Sequence, residues 1–220
     1  MNSFQISLPQ FLPPFTYFLP FLDSGSVIIA DHIQYTKRSL LTRCETLKNN
    51  LKLTVPVKNK GYTQRIYQKE ITYTENWERK HLTSIYHHYH MLPYFDDYFH
   101  KIENIYDKHH ACLNYFLLDL IIMFKSLLKI DSTILLASKE KFSDSLENNL
   151  IHFSKKNSNA VFLYKEIDVV SGFISLDKLA EARVETKALP AETKAVLKPI
   201  NILDYLFLYG PEAAFKIREG

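Results

Sequence analysis

Apolar positions along the chain fall into two kinds of pattern: short unbroken runs of strand length, and longer stretches at helical spacing. Ile6 to Leu8 reads as a short strand, stopped by Pro9 and followed by Pro13 and Pro14. Phe15, Tyr17, Phe18, Phe21 and Leu22 then predict a short helix ahead of the turn Asp23–Ser24–Gly25–Ser26. Val27-Ile28-Ile29-Ala30 is a continuous apolar run, the pattern of a strand covered on both faces. Leu51 to Val55, ended by Pro56, predicts a strand. Arg65 to Tyr73 alternates and predicts another, with Ile66, Ile71 and Tyr73 facing inward.

Helical spacing takes over after Glu75. Asn76 is placed to cap a helix that opens at Trp77, with Glu75 and Glu78 near its positive end, and Pro93 marks its end. Trp77, His81, Ser84, Ile85 and His88 share one face of it. Phe95 to Tyr106 predicts a second, shorter helix. Leu113 to Ile130 predicts a third, with Leu113, Phe116, Leu117, Leu120, Met123, Phe124, Leu127 and Leu128 on a wide apolar face. A membrane-spanning helix needs ~20 apolar residues, and Asp119 and Lys125 interrupt this run, so a buried core helix is expected and no membrane span.

Ile134–Ala137 and Val161–Tyr164 predict two more short buried strands. Apolar strands alternating with helices imply an α/β fold with a largely parallel sheet, packed helices and a helical C-terminal part. Lys178 to Lys198 departs from this pattern. It repeats Glu185-Thr-Lys-Ala-Leu as Glu192-Thr-Lys-Ala-Val, lacks aromatic residues, and reads as an exposed linker or insertion. Asn201 to Gly210 returns to apolar character and predicts a final helix, stopped at Gly210-Pro211. The expected organisation is an α/β domain over 1–177, the linker or insertion over 178–198, and a C-terminal helix over 199–220 docking on the main domain.

Composition narrows the function classes. With 46% hydrophobic residues in 220, a substantial core is available without disulfides. The 27 basic and 24 acidic residues leave a net charge of +3, too small a surplus for a phosphate-tracking surface, so no nucleic-acid partner is expected. Cys44 and Cys112 are isolated thiols without the spacing of a zinc ribbon, a redox pair or a secreted disulfide scaffold. Met1 to Gln10 lacks the basic region and apolar run of a signal peptide, which makes the cytoplasm the expected compartment.

The chain contains no GxGxxG, GxxxxGK[ST], HExxH or GxSxG sequence. The richest polar stretch is Asp31-His32-Ile33-Gln34-Tyr35-Thr36-Lys37-Arg38, continuing to Arg43, directly after the apolar run Val27–Ala30. Open parallel sheets bind ligands beyond the carboxyl ends of their strands. Arg38, Arg43 and Lys37 suit phosphate or carboxylate, Asp31 and Gln34 suit hydroxyls, and Tyr35 offers a stacking ring. The competing reading is a solvated polar loop with Arg43 in a structural ion pair. Nine histidines raise the question of metal, but His87, His88 and His90 point to different faces of a helix, and His109-His110 has no evident third ligand. No metal site is expected. His81, on a partly apolar helix face, is the best candidate for proton transfer.

Taken in order, these residues resemble the WbqC-like protein family. Leu8-Pro9-Gln10-Phe11-Leu12-Pro13 followed by Thr16-Tyr17-Phe18 is similar to the family's opening Gln-Pro-x-aromatic-Leu-Pro and Gly-Tyr-Phe. Asp31, Gln34, Tyr35, Lys37, Arg38 and Arg43 match its next block. Leu53-Thr-Val-Pro-Val57, Trp77 with His81 and Tyr89, Pro93 with Phe95, and Ile202 to Gly210 with Asp204 as its acid match later ones. Leu8 and Thr16 stand where the family has Gln and Gly, and the family's Gly-Ala and Tyr-x-Ser-Gly segment is barely recognisable around Asn159 to Tyr164. The resemblance implies a role in the biosynthesis of O-antigen and other surface polysaccharides. It points to a transferase moving an acyl or aminoacyl group onto a nucleotide-linked amino sugar, with His81 or Asp204 moving the proton.

The small-molecule partner so implied is a sugar nucleotide or an activated acyl donor, and no cofactor is specified. The alternative is a non-catalytic interaction protein of a glycan-biosynthesis complex, offering an aromatic surface of Tyr94, Phe95, Tyr98 and Phe99.

Overall fold

The unbroken apolar runs do form strands, and the one at Val27–Ile29 is buried throughout. In the computed structural model, which describes residues 3–46, 50–59, 63–140, 142, 146–157, 161–164, 186–188 and 200–219, β1 (Ser3–Ser7), β2 (Ser26–Ile29), β3 (Thr133–Leu136), β4 (Val161–Tyr164) and β5 (Thr186–Ala188) build one five-stranded sheet. Its spatial order is β3-β2-β1-β4-β5 and every pairing is parallel. The fold is therefore α/β with a parallel sheet and packed helices. Parallel neighbours cannot be joined by tight turns, so the connections from β1 to β2 and from β2 to β3 leave the sheet and return.

The chain uses those excursions to build a second unit. The sheet unit comprises 1–7, 20–32 and 131–196; the other, mainly helical, comprises 8–19, 33–130 and 197–220. In the sheet unit, β1 lies between β2 and β4, in register Phe4↔Ser26 and Ser3↔Val161. Phe4, Ile28, Ala137, Phe142, Leu150, Phe153 and Phe162 form its buried cluster. Helix α5 (Leu146–Lys156) brings Phe153 within 4.8 Å of the Phe4 ring, and Phe162 of β4 stands 5.3 Å from it. Val27, Ile28 and Ile29 are all fully buried, as a strand covered on both faces requires. The turn into β2 follows α1 (Leu19–Asp23) and is latched by Ser3, whose Oγ donates to the Asp23 carbonyl and accepts from the Gly25 N–H.

The helical unit packs α2 (Trp77–Tyr89), α3 (Phe95–Tyr106), α4 (Leu113–Leu127), α6 (Ile202–Tyr209) and α7 (Ala213–Glu219) with a two-stranded antiparallel hairpin of Arg43–Glu45 and Lys52–Thr54. Its centre is aromatic. Trp77, Tyr106 and Phe116 meet at 5.2 to 5.8 Å, and Phe207 of α6 sits 5.1 Å from both Tyr89 and Phe95. Leu113, Phe116, Leu117, Leu120, Ile121 and Phe124 make the buried face of α4. No helix among the described residues is long and apolar enough to cross a membrane.

Several local expectations are corrected. Arg65 to Tyr73 is not a strand: Ile66–Gln68 forms a 3₁₀ turn, flanked by isolated bridges at Arg65, Glu70 and Ile71. Its buried positions are Ile66, Lys69 and Ile71, a spacing that no alternating strand produces, and Tyr73 is exposed. Asn76 precedes α2 but its side chain makes no capping bond. The helix begun at Ile202 is not the last element, because a 3₁₀ turn at Gly210–Glu212 leads into α7, which buries Ala213, Ala214 and Ile217. Of the segment 178–198, Thr186–Ala188 is the strand β5; its other residues lie outside the described residues.

Gly210 has φ of +53°, a conformation that side chains rarely adopt, and a Cβ there would stand 2.4 Å from the Tyr94 ring. Gly210→Ala is therefore expected to cost about 3 kcal/mol and to lower Tm by roughly 6 to 12 °C. Adding Tyr94→Ala should recover part of that loss, a non-additivity readable by calorimetry. An unchanged Tm in Gly210→Ala would show that Tyr94 does not cover this position in solution.

Candidate functional site

Within the helical unit, the Pro-rich loop sets the geometry. Leu12 is fully buried with φ of +43°, an uncommon backbone state for a leucine and more so ahead of a proline. Its carbonyl accepts the side-chain N–H of Asn201 at 2.7 Å, and the Asn201 Oδ1 accepts the Leu203 N–H at 3.0 Å, capping α6. Backbone bonds from Ile202 N–H to the Pro13 carbonyl and from Phe15 N–H to the Ile200 carbonyl complete the junction, and Phe15 stacks on Tyr205 at 4.5 Å. The loop thereby brings Phe11 against His81, with ring centroids 5.8 Å apart, while the Phe11 N–H donates to the Leu40 carbonyl.

His81 is buried, and both of its ring nitrogens are engaged. Nε2 accepts the backbone N–H of Thr54 at 3.3 Å, and Nδ1 lies 3.2 Å from the Tyr106 hydroxyl. Because a backbone N–H donates to Nε2, the ring is neutral with its hydrogen on Nδ1, donated to Tyr106. Burial lowers the pKa to about 4. Burial also holds the Tyr106 hydroxyl well above its ordinary range, so this pair is uncharged at neutral pH.

About two helical turns beyond His81, Tyr89 is fully buried and donates its hydroxyl to Asp204 Oδ1 at 2.9 Å. Thr46 also hydrogen-bonds the Tyr89 hydroxyl, and burial drives that phenol's pKa upward. Asp204 itself is half-buried, in the first turn of α6. Cys44 faces the same cluster. Burial, with the Asp204 charge adding to it, pushes its thiol up to about 12, so it stays protonated and is no nucleophile.

The residues singled out from sequence divide between two places. Asp31 belongs to the sheet unit, is fully buried, and accepts at both oxygens from Ser138: from its N–H at 2.8 Å and from its Oγ–H at 2.6 Å. It ties the end of β2 to the residues just after β3. The strand order reverses between β1 and β4, not beside β2, so the rule that ligands gather at such reversals does not single out Asp31. Gln34, Tyr35, Lys37, Arg38 and Arg43 belong to the helical unit; Gln34, Lys37, Arg38 and Arg43 are exposed and Tyr35 is half-buried.

Arg43 pairs with Thr54 in the hairpin, on the exposed face, while the neighbouring pair Cys44–Leu53 points inward. Its side chain is thus on the opposite face of the hairpin from the Cys44–Tyr89–Asp204 cluster. Among the described residues, no group of three or more His, Cys, Asp or Glu side chains is placed to hold a metal ion. Thr46, Tyr106 and Asn201 were not singled out from sequence. Only Asn201 carried a local signal there, as a capping residue ahead of an apolar run.

The model of the WbqC-like protein family matches residues 8–214. That span contains every residue of the Phe11–His81 and Tyr89–Asp204 arrangement. No curated protein and no solved structure matches the chain.

A buried neutral histidine makes stability depend on pH. Unfolding returns His81 to its ordinary pKa of 6.5, so between about 4 and 6.5 the unfolded chain binds the extra proton. Stability contributed by keeping His81 neutral is complete above that window and is lost as pH falls through it. The loss attributable to His81 between pH 7 and pH 5 is expected to be about 2 kcal/mol. Urea unfolding at the two values should show a slope that much shallower in His81→Gln than in the parent. Equal slopes would mean that folding leaves the His81 pKa at its ordinary value.

Proposed function

The chain belongs to the WbqC-like protein family, and we propose that it acts in surface-polysaccharide biosynthesis of the O-antigen type, as a transferase placing an acyl or aminoacyl group on a nucleotide-linked amino sugar. The observation that carries this reading is the bond from Tyr89 to Asp204: a half-buried carboxylate held by a fixed phenol, among residues that match the family. As the sugar's amine attacks the acyl carbonyl, a carbon–nitrogen bond forms and the bond to the donor's leaving group breaks, its electron pair going with that group. The proton released from nitrogen passes to the Asp204 carboxylate. Tyr89 orients Asp204, and Thr46 orients Tyr89.

His81, with both nitrogens occupied, acts as a positioning residue that fixes Thr54 and Tyr106 in this reading. Lys37 and Arg38, exposed and cationic, are the proposed phosphate contacts, with Gln34 and Tyr35 beside them in sequence; Arg43, on the other face of the hairpin from Asp204, is left out of the set. Asp31 is left out of the ligand-binding set, since Ser138 occupies both of its oxygens.

An interaction protein with an aromatic surface over Tyr94 to Phe99 is the weaker reading. Phe95 and Tyr98 are buried, and Phe99 is half-buried with its ring stacked 4.6 Å from Phe95, so little of that surface is offered to a partner.

The test has two arms. Thermal shifts with UDP-linked amino sugars and with acyl-CoA should show saturable stabilisation by at least one of each class, about 5 °C or more at a hundred-fold excess over Kd. Mass spectrometry of the sugar nucleotide should then show acyl transfer, reduced at least ~100-fold in Asp204→Asn with the thermal shift retained. Full transfer by Asp204→Asn, or no stabilisation by either class, would rule the assignment out.

A further inference from the structure

Helices α2 and α3 run antiparallel. Tyr86, near the end of α2, lies against Phe99, near the start of α3, with ring centroids 6.3 Å apart. Glu78, at the start of α2, meets His109, just past the end of α3, at 2.9 Å. Between them, within the helical unit, runs a groove of about 470 Å³, inside the size range of small-molecule sites. Its lining is graded. Glu78 to Tyr86 and Phe99 to Asp107 are equal steps along the two walls, each about 12 Å at 1.5 Å per residue. The antiparallel walls therefore put the rings of Tyr86 and Phe99 at one end, Leu82 and Glu103 midway, and Glu78 with Asp107 at the other.

The acidic end is out of balance. Three carboxylates, Glu78, Glu103 and Asp107, share the groove with one guanidinium, Arg79, and one imidazole, His109. Counting a protonated His109 against its partner Glu78, and Arg79 against a second acid, still leaves one carboxylate over. Among the described residues, the side chains of Glu103 and Asp107 have no ion-pair partner, and the adjacent base Lys108 is taken by Asp119 at 2.6 Å. Glu103 and Asp107 stand four residues apart, hence on one face, at the C-terminal end of α3, which has no basic residue in its last turn. Like charges at that spacing repel each other, and the negative end of the helix dipole repels both. Glu78 meets the same field from the other wall. Its side chain is only 13% exposed. Burial raises its carboxyl pKa, His109 draws it down, and the Asp107 charge raises it again. One bound cation relieves all of these repulsions.

The opposite end suits an apolar body. Tyr86 is 47% exposed, Leu82 and Phe99 are half-buried, and Phe99 is held in place by stacking on Phe95 at 4.6 Å. A bare metal ion uses none of that apolar area, and the described residues assemble no ligand set for one. Phosphates are repelled by the acids. An ammonium carried on an aromatic or aliphatic body satisfies both ends at once.

We infer that the groove between α2 and α3 is a binding site for a small organic cation, its ammonium among Glu78, Glu103 and Asp107 and its apolar body along Leu82, Tyr86 and Phe99. The site is independent of the transferase reading, since none of these residues belongs to the Tyr89–Asp204 arrangement.

Calorimetric titration of the full chain with 2-phenylethylamine, its neutral analogue 2-phenylethanol and its anionic analogue phenylacetate tests it. The amine should bind saturably, the alcohol at least about ten-fold more weakly, and the anion not at all. Asp107→Asn and Glu103→Gln should each weaken the amine at least about five-fold, with Tm unchanged or raised in the absence of ligand, because each removes a repulsion. Tyr86→Ser should weaken amine and alcohol alike. Glu75→Gln, which removes an acid outside the groove that pairs with Lys80, should bind the amine as the parent does. No binding of the amine, equal affinity for amine and alcohol, or parent-like amine affinity in any of the three groove variants overturns the inference. A Tm loss in both acid variants would make the acids structural and overturns it as well. Tighter binding of the tripeptide Ala-Lys-Ala than of the amine would give the groove to a basic side chain of a partner protein, and so overturns the small-molecule assignment.

Discussion

The helical unit depends on one side chain whose two ends are both committed. Asn201 gives its N–H to the carbonyl of Leu12 and takes the N–H of Leu203 with its oxygen, so a single amide closes the Pro-rich loop and opens α6. Each bond answers a backbone group that would otherwise be buried without a partner, a deficit of about 1 to 3 kcal/mol apiece. Leu12 adopts its left-handed backbone under this clamp, and the loop it bends delivers Phe11 to His81. The helix it caps delivers Asp204 to Tyr89. Both halves of the candidate site are therefore set by a residue that takes no part in its chemistry.

The polar interior shows a consistent economy. His81, Tyr106 and Tyr89 are buried in uncharged form, each with a hydrogen-bonding partner, which is how a core tolerates polar atoms. Asp31 receives two bonds from one serine, and Lys69 rests on an amide oxygen and an aromatic face. Asp204 differs from these in being half-exposed.

Much of the fold was legible because it is written in local pattern. Val27 to Ala30 is apolar without a break, and the strand it forms is buried without a break. Trp77, His81 and Ile85 share a helical face, and that face is the buried one. The misreadings come where a charged residue takes an interior place or where a partner is distant in sequence. Ile66 and Ile71 would lie on opposite faces of a strand; the 3₁₀ turn at Ile66–Gln68 brings both inside together with Lys69, which the alternation of Arg65 to Tyr73 does not announce. The partner of Asp31 is Ser138, and nothing near Asp31 announces it; a buried anchor looked like a binding group. The start of α7 was hidden by Gly210-Pro211, which ends one helix and admits another. The family blocks located Tyr89, His81 and Asp204, but the tautomer of His81 and the orientation of Arg43 belong to the folded geometry.

The interleaving of the two units has a consequence for how the protein is made. Ser3 pairs with Val161, and neither unit is a continuous stretch of chain. At ribosomal synthesis rates the first strand waits on the order of ten to thirty seconds before its second neighbour is translated. During that interval β1 can pair only with β2, and one of its edges remains open to any extended peptide. Ser3 and Gln5, polar yet buried in the finished sheet, make that waiting edge less apolar than the strand beside it. The nascent chain is thus most exposed to mispairing before the residues that close its sheet have left the ribosome.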